Sequence, residues 1–238
     1  MSEPIRGLIF DKDGTLFDFN ATWAAWCDGF ITGIAADVPG GAARLAETFG
    51  FDRATRRFLP TSPLIAGTME QVVDAVRALR PDLGEMALRR HIIDSTAAAP
   101  QVEAAPLGAL LDRLRAAGLT LGVATNDSEE PARAHLTRAG VLDRFAFIAG
   151  YDSGHGAKPT PGMLLAFCAA TGIPPAACAM IGDSVHDLTS GRAAGMTVIG
   201  VLTGLATHDD LAPFADVVLP DIGALPRWLD LPGSALPL

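Results

Sequence analysis

The stretch FDKDGTLFD, residues 10–18, places two carboxylates, Asp11 and Asp13, one residue apart at the end of an apolar run. On an extended chain, side chains two apart point the same way, so these acids share one small volume and repel unless something positive joins them. Other apolar runs also end in polar residues. LGVATND supplies Thr125, Asn126 and Asp127, AMIGDSVHD supplies Gly182, Asp183, Ser184 and Asp187, and GAKPTP supplies Lys158. Three carboxylates and an ammonium gathered at one place are a poor arrangement for stability without a divalent cation. Mg²⁺ suits the set because it takes oxygen ligands, keeps several waters and is often shared with phosphate oxygens.

The elements that must position these residues are legible in the hydrophobic pattern. Near-continuous apolar runs at 7–10, 119–124, 145–148, 178–181, 197–201 and 217–219 read as parallel strands buried on both faces. Helical stretches at 106–117, 129–139, 161–171 and 185–194 lie between them, closed by Gly118, Gly140, Gly172 and Gly195. Thr160 before Pro161 reads as an N-cap with proline at the first helical position. The alternation predicts an α/β, Rossmann-like parallel sheet with helices on both faces. Ligands of such sheets bind at the carboxyl ends of the strands, where the candidate residues were found.

Residues 17–100 break the alternation with helical patterns and no convincing buried strand, and are expected to form an inserted helical domain. A core of 1–16 with 101–238 is expected to carry it. Thr68 with Gln71 reads as a capping box, and 84–97 as the last helix before the chain returns to the sheet. Trp23 and Trp26, three apart on the first inserted helix, read as packed core. Arg56 and Arg57 read as exposed helix arginines, His155 as a loop residue, and the tail 231–238 as irregular.

Composition excludes several functions. At 238 residues and 49% hydrophobic, the chain can bury a sizeable core, and its net charge of −9 argues against nucleic-acid or anionic-membrane surfaces. Its start carries no leader pattern and no apolar run spans a bilayer, so it is read as soluble and cytoplasmic. Cys27, Cys168 and Cys178 show no metal-ligand spacing and read as buried thiols. Among 18 basic residues, lysine occurs only at Lys12 and Lys158. A compact ammonium fits between a carboxylate and a phosphate where a planar guanidinium does not, which gives Lys158 a reason to be an exception. Strand alternation points Lys12 away from Asp11 and Asp13.

Taken in order, DKDGTL, the Thr of VATND, the Lys of AKPTP and GDSVHD resemble the motifs of the haloacid dehalogenase superfamily, and with the helical insertion they account for the whole chain. The location of the insertion is similar to the helical cap of the phosphoglycolate phosphatase branch. The resemblance implies a Mg²⁺-dependent phosphatase that forms an aspartyl-phosphate. Asp11 would be the nucleophile and Asp13 the general acid and base, its backbone carbonyl on the metal. Asp183 would ligate Mg²⁺ with Asp11, and Asp187 would sit near Lys158 or the metal. Thr125 would hydrogen-bond a phosphoryl oxygen and Lys158 would hold nucleophile and phosphate, with Gly14 and Asn126 completing the phosphate-facing set. The insertion would act as a lid. The substrate implied is a small phosphorylated acid or sugar; a phosphomutase or nucleotidase on the same core, and a non-catalytic phosphate-binding regulator, stand as alternatives. An acid at Asp13, where related transport ATPases have threonine, favours turnover of a phosphate ester.

Overall fold

The computed structural model describes residues 3–59, 62–66 and 69–232. The chain divides into two compact units, residues 1–19 with 101–238, and residues 20–100. It opens with β1 (Gly7–Phe10) and then enters the second unit, which holds α1 (Phe19–Ile34), α2 (Gly41–Thr48), β2 (Phe51–Asp52), β3 (Arg57–Phe58), α3 (Pro63–Ala66), α4 (Met69–Leu79) and α5 (Glu85–Ala98). The first unit resumes with α6 (Leu107–Ala116), β4 (Thr120–Ala124), α7 (Glu129–Arg138), β5 (Phe147–Ala149), α8 (Gly162–Thr171), β6 (Cys178–Gly182), α9 (Val185–Ala193), β7 (Thr197–Val201), α10 (His208–Leu211), β8 (Val217–Leu219) and α11 (Leu225–Trp228).

The expected α/β class holds. Six strands form one parallel sheet in the order β5-β4-β1-β6-β7-β8, with β1 hydrogen-bonded to β4 on one side and β6 on the other. Alternation along β1 sends Leu8 and Phe10 into a cluster with Leu111, Leu114, Val123, Ile181 and Ile222, and sends Ile9 into another with Met163, Phe167, Met180 and Leu188. Both faces are therefore apolar, which is why the strands read as continuous runs. Phe167 of α8 lies directly on the strand backbones. A Cβ on Gly122 would fall 2.6 Å from its ring, so that strand position accepts only glycine.

The second unit is helical with a two-stranded antiparallel ribbon, β2 with β3, that the sequence pattern had not shown. Two-residue strands are too short to register as periodicity, but Phe51 and Phe58 pair across them with ring centroids 4.9 Å apart. Arg57 lies on that ribbon and Arg56 in its turn at φ 55°, so neither is helical. Trp23 and Trp26 meet edge to face at 5.6 Å, Trp26 stacks on Phe30, and its indole N–H donates to Ser95 Oγ at 3.2 Å. They are packed core.

Two local expectations shift. Helix α8 begins at Gly162 with Pro161 in the capping position, because the Thr160 hydroxyl donates instead to Ala157 O at 2.6 Å inside its own turn. Strand β5 starts at Phe147, since a 3₁₀ turn at Leu142–Arg144 occupies the chain just before Phe145. The capping box at Thr68 and most of the 231–238 tail lie outside the described residues. Among those described, no helix is long and apolar enough to cross a membrane.

Candidate active site

Strand β1 hands over to a tight turn at Asp11. Leu16 N–H and Phe17 N–H both donate to Lys12 O, and Gly14 N–H donates to Phe17 O at 2.7 Å, so extended geometry stops at Phe10. Alternation therefore does not govern Lys12, and the expectation that it turns away from Asp13 fails. Lys12 Nζ, fully buried, lies 2.5 Å from Asp13 Oδ2, 3.3 Å from Asp127 Oδ2 and 3.1 Å from His135 Nδ1.

The central cluster forms across the carboxyl ends of β1, β4 and β6. Lys158 Nζ donates to Asp11 Oδ1 at 2.6 Å and Ala124 O at 2.8 Å, and pairs with Asp187 Oδ1 at 2.5 Å. The three acceptors match the three N–H bonds of one ammonium. Burial tends to lower the Lys158 pKa, yet Asp11 and Asp187 together outweigh it and raise it above the ordinary lysine value. Asp11 is pushed up to about 7, chiefly by burial and further by Asp187 and Asp13, with Lys158 opposing. Asp183 is also raised, by burial first and then by Asp187 and Asp11.

Oxygen atoms of Asp11, Asp183 and Asp187 lie within 4.8 Å of one another, all three residues buried. An all-oxygen set of carboxylates destabilised by mutual repulsion is what a small hard dication relieves, so the residues fit Mg²⁺. Asp187 is the most committed of the three. Its Oδ1 faces Lys158, while its Oδ2 accepts from Ser184 N at 3.0 Å and Ser184 Oγ at 2.6 Å in the capping box that opens α9. The Asp13 side chain is turned to Lys12, and among the described residues it does not join this triad.

Glycines make the close approach possible. A Cβ on Gly14, whose φ is +84°, would fall 2.3 Å from Asp183 Oδ2, and one on Gly204 would fall 1.7 Å from the same oxygen. Thr203 Oγ1 donates to Gly14 O at 2.6 Å, tying the segment after β7 to the turn after β1. Thr203 and Gly204 were missed in the sequence, although both follow an apolar run as the other candidates do. Thr125 is buried, and its hydroxyl oxygen accepts Asp127 N–H at 3.0 Å, leaving the hydroxyl hydrogen to donate elsewhere. Asn126 Nδ2 donates to Lys158 O at 3.0 Å and its Oδ1 accepts Lys158 N–H at 2.8 Å. These two bonds hold the lysine backbone and use one of the two amide N–H groups. His155 is exposed against Phe147, and His186 is exposed at the start of α9.

A parallel sheet thus carries the turn with Asp11, the buried Lys158 and the paired acids Asp183 and Asp187 at its carboxyl edge. Residues 5–195 match the model of the haloacid dehalogenase-like hydrolases, and the chain belongs to that family. The Dickeya dadantii protein named "Probable phosphatase IndB" is 31% identical over 240 residues, covering 95% of this chain and 96% of its own. The phosphoglycolate phosphatase of Rhodospirillum rubrum is 36% identical over 124 residues, about half of either chain at 52% each. Among solved structures, a HAD phosphatase from Thermococcus onnurineus superposes with a TM-score of 0.67 at 19% identity, covering 94% of this chain and 98% of that one, a likeness of fold.

Proposed function

We propose that the protein is a Mg²⁺-dependent phosphatase that hydrolyses a small phosphorylated metabolite, a phosphoglycolate-like acid or a sugar phosphate, through an aspartyl-phosphate on Asp11. The observation that carries this reading is the Asp11 carboxylate held 2.6 Å from a buried lysine beside two further buried acids. Names of the relatives support a phosphate monoester as substrate.

With Oδ1 engaged by Lys158, Asp11 presents its other oxygen for attack on phosphorus. The Lys158 ammonium offsets the charge that builds as one anion approaches another. Asp13 gives a proton to the leaving oxygen as the P–O bond breaks, then takes one from the water that hydrolyses the acyl phosphate, a shuttle typically contributing about 10²- to 10⁴-fold. The Thr125 hydroxyl donates to a phosphoryl oxygen, Gly14 lets the backbone approach it, and Asn126 keeps Lys158 in register. Asp11, Asp183 and the Asp13 carbonyl would hold Mg²⁺, which when bound supplies Lewis-acid neutralisation of the phosphoryl oxygens.

The test is Asp11→Asn beside the parent on a panel of phosphorylated metabolites, with phosphate release as readout. The variant is expected to fold, to lose turnover, and to form no acid-stable, hydroxylamine-sensitive phosphoenzyme. Activity within about tenfold of the parent would remove Asp11 from the role of nucleophile.

A further inference from the structure

Both lysines of the chain are buried at the carboxyl edge of the sheet, and only Lys158 has so far been given work. Lys12 is 0% exposed, while the side chain of its partner Asp13 remains 18% exposed. The ammonium therefore stands behind the acid, on the interior side. Asp127, its side chain 24% exposed, and the buried His135 also meet the ammonium. Asp127 is itself anchored, because Ser128 N–H donates to its Oδ1 at 2.8 Å and its Oδ2 faces Lys12 at 3.3 Å. His135, buried on α7, meets Lys12 through Nδ1 at 3.1 Å. An ammonium has three N–H bonds and no lone pair, so Nδ1 must accept and the ring proton sits on Nε2.

Stability alone does not account for this arrangement. A buried charge cluster is commonly replaced by well-packed apolar residues with no loss, so its presence calls for another reason. The turn that fixes Lys12 O by two backbone hydrogen bonds also aims its side chain, and Asp13, on the turn itself, lies nearer the ammonium at 2.5 Å than Asp127 at 3.3 Å or His135 at 3.1 Å. We propose that Lys12, braced by Asp127 and His135, is a positioning residue that clamps Asp13 Oδ2 and so presents the other oxygen for proton transfer. This rests on the reading of Asp13 as general acid and base. In the step concerned the Asp13 carboxyl releases its Oδ1 proton to the leaving oxygen as that oxygen takes the P–O electron pair. The carboxylate recovers a proton from water in the second step.

The experiment compares leaving groups. An alkyl phosphate needs a proton donor to expel its alkoxide, whereas p-nitrophenolate leaves unprotonated. For Lys12→Met the alkyl phosphate kcat is expected to fall about 10²-fold with KM within about twofold, because misplacement by about 1 Å costs that much. The pre-steady-state burst of p-nitrophenolate should stay within about threefold of the parent, since it needs no acid. Asp13→Asn, run in parallel, should show the same selectivity. If Asp13→Asn is selective and Lys12→Met slows both substrates equally, or neither, the clamp is overturned and the acid stands. If Asp13→Asn is not selective, both ideas fall. His135→Leu removes one brace and is expected to show the same selectivity at roughly three- to tenfold, carrying the same outcomes should Lys12→Met not fold.

Discussion

Replacing Lys158 with arginine tests whether its geometry or merely its charge matters. Its ammonium meets Asp11, Asp187 and the Ala124 carbonyl at 2.6, 2.5 and 2.8 Å, the short end of charge-assisted hydrogen bonds. Three acceptors arranged around one nitrogen suit a tripod of N–H bonds; a planar guanidinium fork cannot reach all three without moving one. Asp11 is the partner free to give, because Asp187 is also fixed by Ser184 and Ala124 O belongs to β4. A displacement of about 1 Å at the nucleophile costs on the order of 10²-fold in turnover. Positive charge is retained, so stability should fall only modestly, whereas Lys158→Met strands two buried carboxylates and should cost roughly 3 to 5 kcal/mol. Urea unfolding and turnover on the best panel substrate, measured on the same preparations, separate the two effects. An arginine variant as active as the parent would refute the argument from tripod geometry.

Two other outcomes follow from the acid cluster. Gly204→Ala drives a Cβ into the Asp183 carboxylate, so the Mg²⁺ concentration for half-maximal activity should rise about tenfold or more, roughly the 1 to 3 kcal/mol of a displaced buried group; an unchanged Mg²⁺ dependence would show that Asp183 is not a ligand. Asp11 is raised from 3.8 to about 7, so between those values the metal-free folded state binds more protons than the unfolded one, and stability falls as pH climbs through that window. Mg²⁺ takes the ionised form, so its gain in thermal midpoint should be larger at pH 7.5 than at pH 5, and an equal or larger gain at pH 5 would sink the assignment.

What could be read from the sequence was whatever depends on neighbours along the chain. Strands β1, β7 and β8 fall on the apolar runs that announced them, and the residues following the runs include Asp11, Lys158 and Asp183, which the structure gathers. Asp187 was expected near Lys158 or the metal, and it pairs with Lys158. What could not be read depends on where the chain turns or on distant partners. The direction of Lys12 is set by a hydrogen-bonded turn that begins one residue after β1, and its contact with His135 spans 123 positions. That Asn126 bonds the Lys158 backbone, 32 residues on, is revealed only by the folded chain. The ribbon in the second unit was invisible because two-residue strands carry no period.

The double hydrogen bond from Asn126 to the Lys158 backbone has a consequence for how this chain tolerates change. It staples the start of the lysine segment to the end of β4, while the loop just before it, Gly154 to Ala157, is exposed throughout. Lengthening a surface loop is entropically mild, about 0.6 kcal/mol for each doubling, so the cost of extra residues there is small and the staple isolates Lys158 from them. That tip is therefore a natural port for a fused reporter or recognition peptide, with Lys158 held in place by the staple.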